Sequence, residues 1–564
     1  MKDIIDVIKG QIREVLTKAV MEAIAEGLLQ DVEVPEISIE KPRERTHGDF
    51  STNIAMTGAR IFKKSPREIA SVLLDKVKVE GTYIESFEIA GPGFINIKLN
   101  EQWLFDALKF IFESGESFGS LDYGKGTKVM VEYVSANPTG PLHMGNARGG
   151  ALGDCIASVL EKAGYDVTRE YYVNDAGNQI EKFALSLELR YLQAVNGEGS
   201  VEFPEDCYQG EDIKEHVNDY IREGLEDLTG KDSEYRQKVL RDYALPKNIE
   251  RIREGLERYG IEFDVWFSEQ SLYDSGELRE TIEKLKVNGS TVEYDGALWL
   301  KGELMDSEKD EVLVKSDEST TYFASDLAYH VNKFNRRGFD RVINLLGTDH
   351  HAHALRMKNA MPALGIDKDK LELVLFQLVR LMRGGETVRM SKRTGRAVSL
   401  DDLLDETGKD AARFFFNMKT AGSHLDFDLD LAVSKSNENP VFYVQYAHAR
   451  ICSMLRILEA DGVDVSFDDC PDLSVLTTPE EKELIRKLAE YPGEVLLAAE
   501  SLEPARLTRY VIDTASAFHS FYNACRVKGE EEDLMKARIV AVRSTVSVIR
   551  NVLGLLKIDA PEKM

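Results

Sequence analysis

The run VEYVSANPTGPLHMGNARGGALGD, residues 131–154, concentrates residue types that handle a nucleotide phosphate. A β-rich stretch ends in a turn holding Asn137, Pro138, Gly140 and Pro141; His143, Gly145, Asn146 and further glycines then open a helical pattern. Glycine at such a junction lets the backbone approach a ligand, and a helix start offers N–H groups without intrahelical partners. His143 can donate to a phosphoryl oxygen as negative charge builds on it. An isolated His-x-Gly-Asn would more often be a Gly-rich turn with a surface histidine. The complete block, directly after a strand pattern, favours the nucleotide reading. A second group, VRMSKRTG at residues 388–395, carries Met390, Ser391 and Lys392 among arginines. Alone it would read as a solvated basic loop. Beside a phosphate-binding helix start, it supplies the charge stabilisation that chemistry at an α-phosphate needs.

Carboxylates and histidines form the other candidates. In TTYFASDLAYH, residues 320–330, Tyr322 and Asp326 stand four apart and so share one helical face. An exposed i,i+4 pair is the plain alternative. Glu269 lies within FDVWFSEQSL, residues 263–272. GTDHHAHALRMK, residues 347–358, holds histidines at 350, 351 and 353. Such spacing does not converge from a helix, and no Cys or Glu accompanies it, so no metal site is expected.

The elements that must position these residues follow a strand–turn–helix–strand rhythm. Residues 128–134 form a β-rich run; Leu152, Ile156, Val159 and Leu160 recur at helical spacing; Gly164 marks the stop; residues 166–173 read as a second strand. A similar unit recurs around residues 341–346 and 371–378, which predicts an α/β domain with a parallel sheet. Between the halves, residues 181–263 are highly charged and helical, as an insertion would be. Residues 1 to about 115 mix a helix, with Ile4, Ile8, Ile12 and Val15 in phase, and a strand pair around the turn of GPGFINIKL. Residues 114–126 read as a linker. Beyond about residue 435 the pattern is helical to the end. The expected regions are 1–118, 119–435 and 436–564.

Composition bounds the rest. With 564 residues, two to four domains are expected. The net charge of −27 argues against indiscriminate coating of nucleic acid, so any nucleic-acid partner must be docked selectively. Five scattered cysteines without a CxxC pair suit neither a disulfide framework nor a zinc site. No apolar stretch is long enough for a membrane span, and charges interrupt the N-terminal segment. A soluble cytoplasmic protein is expected.

His143-Met144-Gly145-Asn146 resembles the HIGH signature of class I aminoacyl-tRNA synthetases, with asparagine in place of the final histidine. VRMSKRTG resembles their KMSKS motif, with Arg389 and Arg393 replacing the first lysine and last serine. Glu132, Asn137 and His143 follow the E-x4-N-x5-H spacing of arginyl-tRNA synthetases, and residues 47–56, 91–99 and 439–455 resemble that family's N-terminal and anticodon-binding regions. The resemblance implies a Rossmann-type catalytic domain between an α+β N-terminal domain and an all-α C-terminal domain. It implies His143, Asn146 and Lys392 as catalytic residues, with Gly140, Pro141, Gly145, Gly347, Asp349, Met390 and Ser391 also on ATP. Arginine would be held by Glu132, Ser135, Asn137, His143, Glu269, Tyr322, Asp326 and His350, the last where relatives often carry glutamine. A carboxylate such as Asp326 suits a guanidinium because it can accept two parallel N–H bonds. Tyr443, Tyr446 and His448 would offer flat surfaces to anticodon bases. The implied activity is ATP- and Mg²⁺-dependent joining of arginine to tRNA(Arg) by a monomer, without membrane or DNA. A class I enzyme for lysine or glutamate, or an inactive synthetase-like RNA-binding protein, stays open at this point.

Overall fold

The computed structural model describes residues 4–42, 44–388 and 398–564. Its centre is a five-stranded parallel sheet of β1 (Lys128–Glu132), β2 (Asp166–Val173), β3 (Val265–Ser268), β4 (Arg341–Gly347) and β5 (Leu371–Phe376). The spatial order is β5-β4-β1-β2-β3. β1 is central and buried on both faces, which is why Val129, Met130 and Val131 run without alternation. Strand order reverses between β1 and β4, and a doubly wound sheet opens its ligand crevice at the carboxyl ends flanking such a switch.

Helix α1 (Met144–Lys162) follows β1 and is buried from Ala147 to Leu160. Its glycines permit the close approach: a Cβ on Gly153 would sit 2.3 Å from the Tyr133 ring. Three further helices matter to the site: α2 (Tyr322–Val331), α3 (His351–Ala360) and α4 (Leu400–Asn417).

The helical insertion expected over 181–263 is present as Asn178–Asn196, Glu211–Arg222 and Ser233–Arg258, with its own core of Phe183, Leu187, Val217 and Leu240. A second insertion was not anticipated: Thr291–Tyr294, Ala297–Leu300 and Glu311–Val314 form an antiparallel sheet between β3 and β4. Four-residue strands give too few alternations to register as a pattern. Residues 114–126 are no loose linker either. Phe118 is buried, and Leu121, Gly124 and Gly126 donate to the carbonyls of Lys162, Ala163 and Gly164.

The N-terminal helix Ile4–Ala25 covers an antiparallel sheet whose middle strand is Phe94–Leu99. That core does not close on itself: it continues into Leu473 and Leu476 of the segment before the helix Pro479–Ala489, and into Ile485, Ala537 and Val540 of the C-terminal helices. Glu101–Lys482 (2.6 Å) and Lys41–Glu490 ion pairs rim the junction. No helix among the described residues is long and apolar enough to cross a membrane.

Candidate active site

Of the sequence-nominated residues that are described, Glu132, Glu269 and Gly347 stand at the carboxyl ends of β1, β3 and β4. β1 ends on Glu132, after which Val134 (φ 68°) and Ser135 (φ 40°) adopt the left-handed region. A β-branched residue there is strained, and such strain persists only where surroundings over-determine it. They do so here: Ser135 Oγ accepts the Tyr172 N–H (3.1 Å) and donates to Glu132 Oε1 (3.2 Å), while the Tyr171 hydroxyl donates to Ala136 O (2.7 Å). Asn248, from the helical insertion, donates to Pro138 O (3.0 Å). Asn137 stays exposed on the turn.

His143 caps α1. Its Nδ1 accepts the Gly145 N–H (3.2 Å), while Asn146 Oδ1 accepts the His143 N–H (3.0 Å). Asn146 therefore serves the helix cap through its oxygen and keeps its Nδ2 donors. With Nδ1 accepting, the ring proton sits on Nε2, the donor a phosphoryl oxygen requires. Desolvation pushes the imidazole pKa below its ordinary value, against the charge of Asp349. Met390, Ser391 and Lys392 lie outside the described residues. Just beyond them, Ser399 pairs with His143, and the Leu400 N–H donates to Leu142 O (2.9 Å).

Arg148, fully buried in α1, has no carboxylate beside it among the described residues. It donates to the carbonyls of Gln377 (2.6 Å), Thr420 (3.1 Å) and Ser423 (3.0 Å), and burial lowers its pKa to about 10. The signature helix is thereby tied to the chain after β5 and after α4.

Opposite lies an acidic pocket. Glu269, just past β3, is 6% exposed and accepts from Ser325 Oγ (2.8 Å). Burial, with the nearby charges of Asp326 and Asp175, raises its pKa to about 7. Asp326 lies in α2 with Oδ2 2.5 Å from His353 Nε2. The Tyr172 hydroxyl is buried in the field of Glu269, Asp326 and Glu132 and has no partner in hydrogen-bonding geometry among the described residues. Glu132 is compensated: fully buried Lys333 donates to its Oε2 (2.5 Å) and to Asn344 Oδ1 (3.2 Å). Among the described residues no lysine or arginine pairs with Glu269 or Asp326, which is the electrostatics of a pocket that a cation would satisfy.

Tyr322 is 64% exposed at the pocket mouth, its ring centroid 5.0 Å from that of His353. Beyond β4, Gly347 has a close neighbour, since a Cβ there would meet Asp349 Oδ1 at 2.4 Å. Asp349 and His350 are exposed and lie 3.5 Å apart. The histidines diverge, His350 towards Asp349 and His353 towards Asp326.

Sequence reasoning missed Tyr172, Lys333 and His353. A lysine inside the apolar run around Val331 and Phe334 was a usable signal for Lys333. One expectation needs correction: His448 offers no stacking surface, because it is fully buried with Nδ1 2.9 Å from Pro561 O. Tyr446 is partly exposed, parallel to Phe442 and 5.0 Å from the Arg450 guanidinium.

The parallel sheet with its switch point and the His-capped helix start lie within residues 111–425, which match the family description "tRNA synthetases class I (R), catalytic domain", so the class is that of the class I aminoacyl-tRNA synthetases. "Arginyl tRNA synthetase N terminal domain" matches residues 6–99 and "DALR anticodon binding domain" residues 444–564. The chain is 63% identical to an arginine–tRNA ligase of Acetivibrio thermocellus and 60% identical to that of Ruminiclostridium cellulolyticum, each over 100% of both chains. The solved Thermus thermophilus arginyl-tRNA synthetase shares the fold, with a TM-score of 0.74 at 23% identity over 98% of this chain and 100% of that one. The chain belongs to the arginyl-tRNA synthetase family.

Proposed function

We infer that the chain is an arginine–tRNA ligase whose pocket reads arginine through Glu269 and Asp326. The carrying observation is that pair of carboxylates, which no lysine or arginine among the described residues matches, in the same sheet domain as a His-capped helix start. A guanidinium spreads its N–H donors in a plane and can engage both.

In the first step the arginine carboxylate attacks the α-phosphorus of ATP, forming arginyl-adenylate and releasing pyrophosphate. Nε2–H of His143 and the first N–H groups of α1 stabilise the charge that develops on phosphate, with Asn146 fixing the His143 backbone. Lys392 adds a positive charge, by its likeness to the KMSKS lysine. Gly140, Pro141 and Gly145 shape the phosphate approach, and Gly347 and Asp349 face the ribose. Mg²⁺ enters as part of the nucleotide substrate, with phosphate oxygens and water as its ligands. Ser135, Asn137 and His350 take the amino-acid end of arginine, and Tyr322 closes over it. Glu132, already satisfied by Lys333 and Ser135, holds the turn beneath the α-amino group. In the second step the 2′-OH of the terminal tRNA adenosine attacks the arginyl carbonyl and AMP leaves. The reading takes the chain to act as a cytoplasmic monomer, with tRNA bound before activation as the resemblance to its family implies.

ATP–pyrophosphate exchange, run with each amino acid and with or without tRNA, tests this. Arginine-dependent exchange that requires tRNA is expected; exchange driven by lysine would overturn the assignment.

A further inference from the structure

His353 belongs to the histidine-rich run of residues 347–358, and the reaction above gives it no part. It stands in the first turn of α3 and reaches Asp326, 27 residues away, in the second turn of α2, with Nε2 2.5 Å from Oδ2. Its own ring is fixed by two aromatic neighbours. The Tyr322 ring lies at 5.0 Å and the Phe323 ring meets it edge-on at 5.5 Å and 85°. The other nitrogen, Nδ1, is buried with no hydrogen-bond partner among the described residues. A buried N–H without an acceptor costs more than a bare lone pair of a ring nitrogen. The proton therefore belongs on Nε2, where Asp326 accepts it.

A carboxylate on the second turn of a helix can otherwise rotate about two side-chain bonds. The imidazole engages Oδ2 and so sets the plane of the carboxylate, leaving Oδ1 for a ligand. Glu269 is held in a comparable way, by Ser325 from the same helix. Each carboxylate of the pocket thus has one oxygen engaged by a neighbouring side chain. A planar guanidinium needs that fixed orientation, since its N–H bonds lie in set directions.

We propose that His353 is a positioning residue for arginine recognition, orienting Asp326 through the Nε2–Oδ2 hydrogen bond without touching the reacting atoms. This rests on the assignment of Asp326 to the guanidinium. A residue of this kind acts on ground-state and transition-state binding alike, so its loss raises KM for arginine and spares kcat and KM for ATP.

The test is a double-mutant cycle on the full chain with tRNA, using H353A, H353Q, D326N and H353A/D326N. It reads KM and kcat in aminoacylation, arginine affinity by calorimetry, and thermal unfolding of every variant. Expected are an arginine KM and Kd raised about 10-fold or more by H353A, recovery of most of that loss by H353Q, whose amide can donate from a similar place, and little added effect of H353A in the D326N background. An unchanged arginine affinity in H353A, or an H353A loss that persists undiminished beside D326N, overturns the positioning role while leaving Asp326 as a ligand. An unchanged affinity in D326N overturns the assignment of Asp326 and this proposal with it. Should H353A unfold, H353Q alone decides: an arginine Kd weakened as much as that of D326N contradicts orientation by a hydrogen bond.

Discussion

At the scale of single residues, Glu269 makes the most direct statement about pH. Its carboxyl titrates near 7 because it is buried beside two other carboxylates. A guanidinium binds the ionised form, so arginine binding releases a proton below that pH. KM for arginine should fall as pH rises through about 7 and level off above it, and Glu269→Gln should flatten the profile; a KM indifferent to pH in the parent enzyme would contradict this. The linked effect on the unliganded fold has the opposite direction. A carboxyl whose folded pKa is raised above 4.5 binds more protons folded than unfolded, so unliganded stability declines between about 4.5 and 7. His143 acts on the other reactant. Its replacement by alanine removes the Nε2 donor, and a loss of about 10²–10³-fold in the adenylation rate is expected in single-turnover exchange, with arginine affinity changed much less. Residue types such as His143 and Asp326 were legible in the sequence because their neighbours carried the motif. Lys333 and Tyr172 were not, because their roles arise from chain crossings: Lys333 meets a carboxylate 201 positions away, and nothing local to Tyr172 marks it as a pocket residue.

At the scale of elements, α1 is held by Arg148 rather than by its apolar face alone. Its guanidinium satisfies three carbonyls, so truncation leaves buried acceptors without donors. Arg148→Ala should destabilise the fold by about 1–3 kcal/mol in denaturant unfolding; a loss below about 0.5 kcal/mol would mean that the clamp is incidental. The β1–α1–β2 unit and the strands near 341 and 371 could be read from the sequence because long buried runs alternate with Gly-marked turns. The left-handed Val134–Ser135 step could not, since a β-branched valine is among the residues least suited to it and only the hydrogen bonds around Ser135 hold it there. The antiparallel sheet between β3 and β4 escaped for a different reason: its strands are too short to show a period.

At the scale of the whole molecule, the three regions anticipated from composition are not independent bodies. The core that Ile4–Ala25 shares is completed by Leu476 and Ile485 of the C-terminal region. Leu476→Ala should therefore destabilise by about 2–5 kcal/mol and loosen the N-terminal region as well, visible as faster amide exchange in the strand Phe94–Leu99. Exchange confined to the C-terminal helices would show that the two cores are separable. A sequence reveals which residues are apolar along each region but not that one region's exposed face is another's core. Ile485 joins the core of Leu104 only after the chain has passed through the whole catalytic domain. The large negative charge, which alone decided little, has a local expression in the acidic pocket between β3 and α2.

The central claim, that Glu269 and Asp326 read the guanidinium, is tested most directly by a crystal structure of the enzyme with arginine and tRNA. The guanidinium should lie with its N–H groups about 2.7–3.0 Å from oxygens of both carboxylates, and His353 should keep its bond to Asp326. A guanidinium seated elsewhere, with either carboxylate beyond hydrogen-bonding distance, would contradict it.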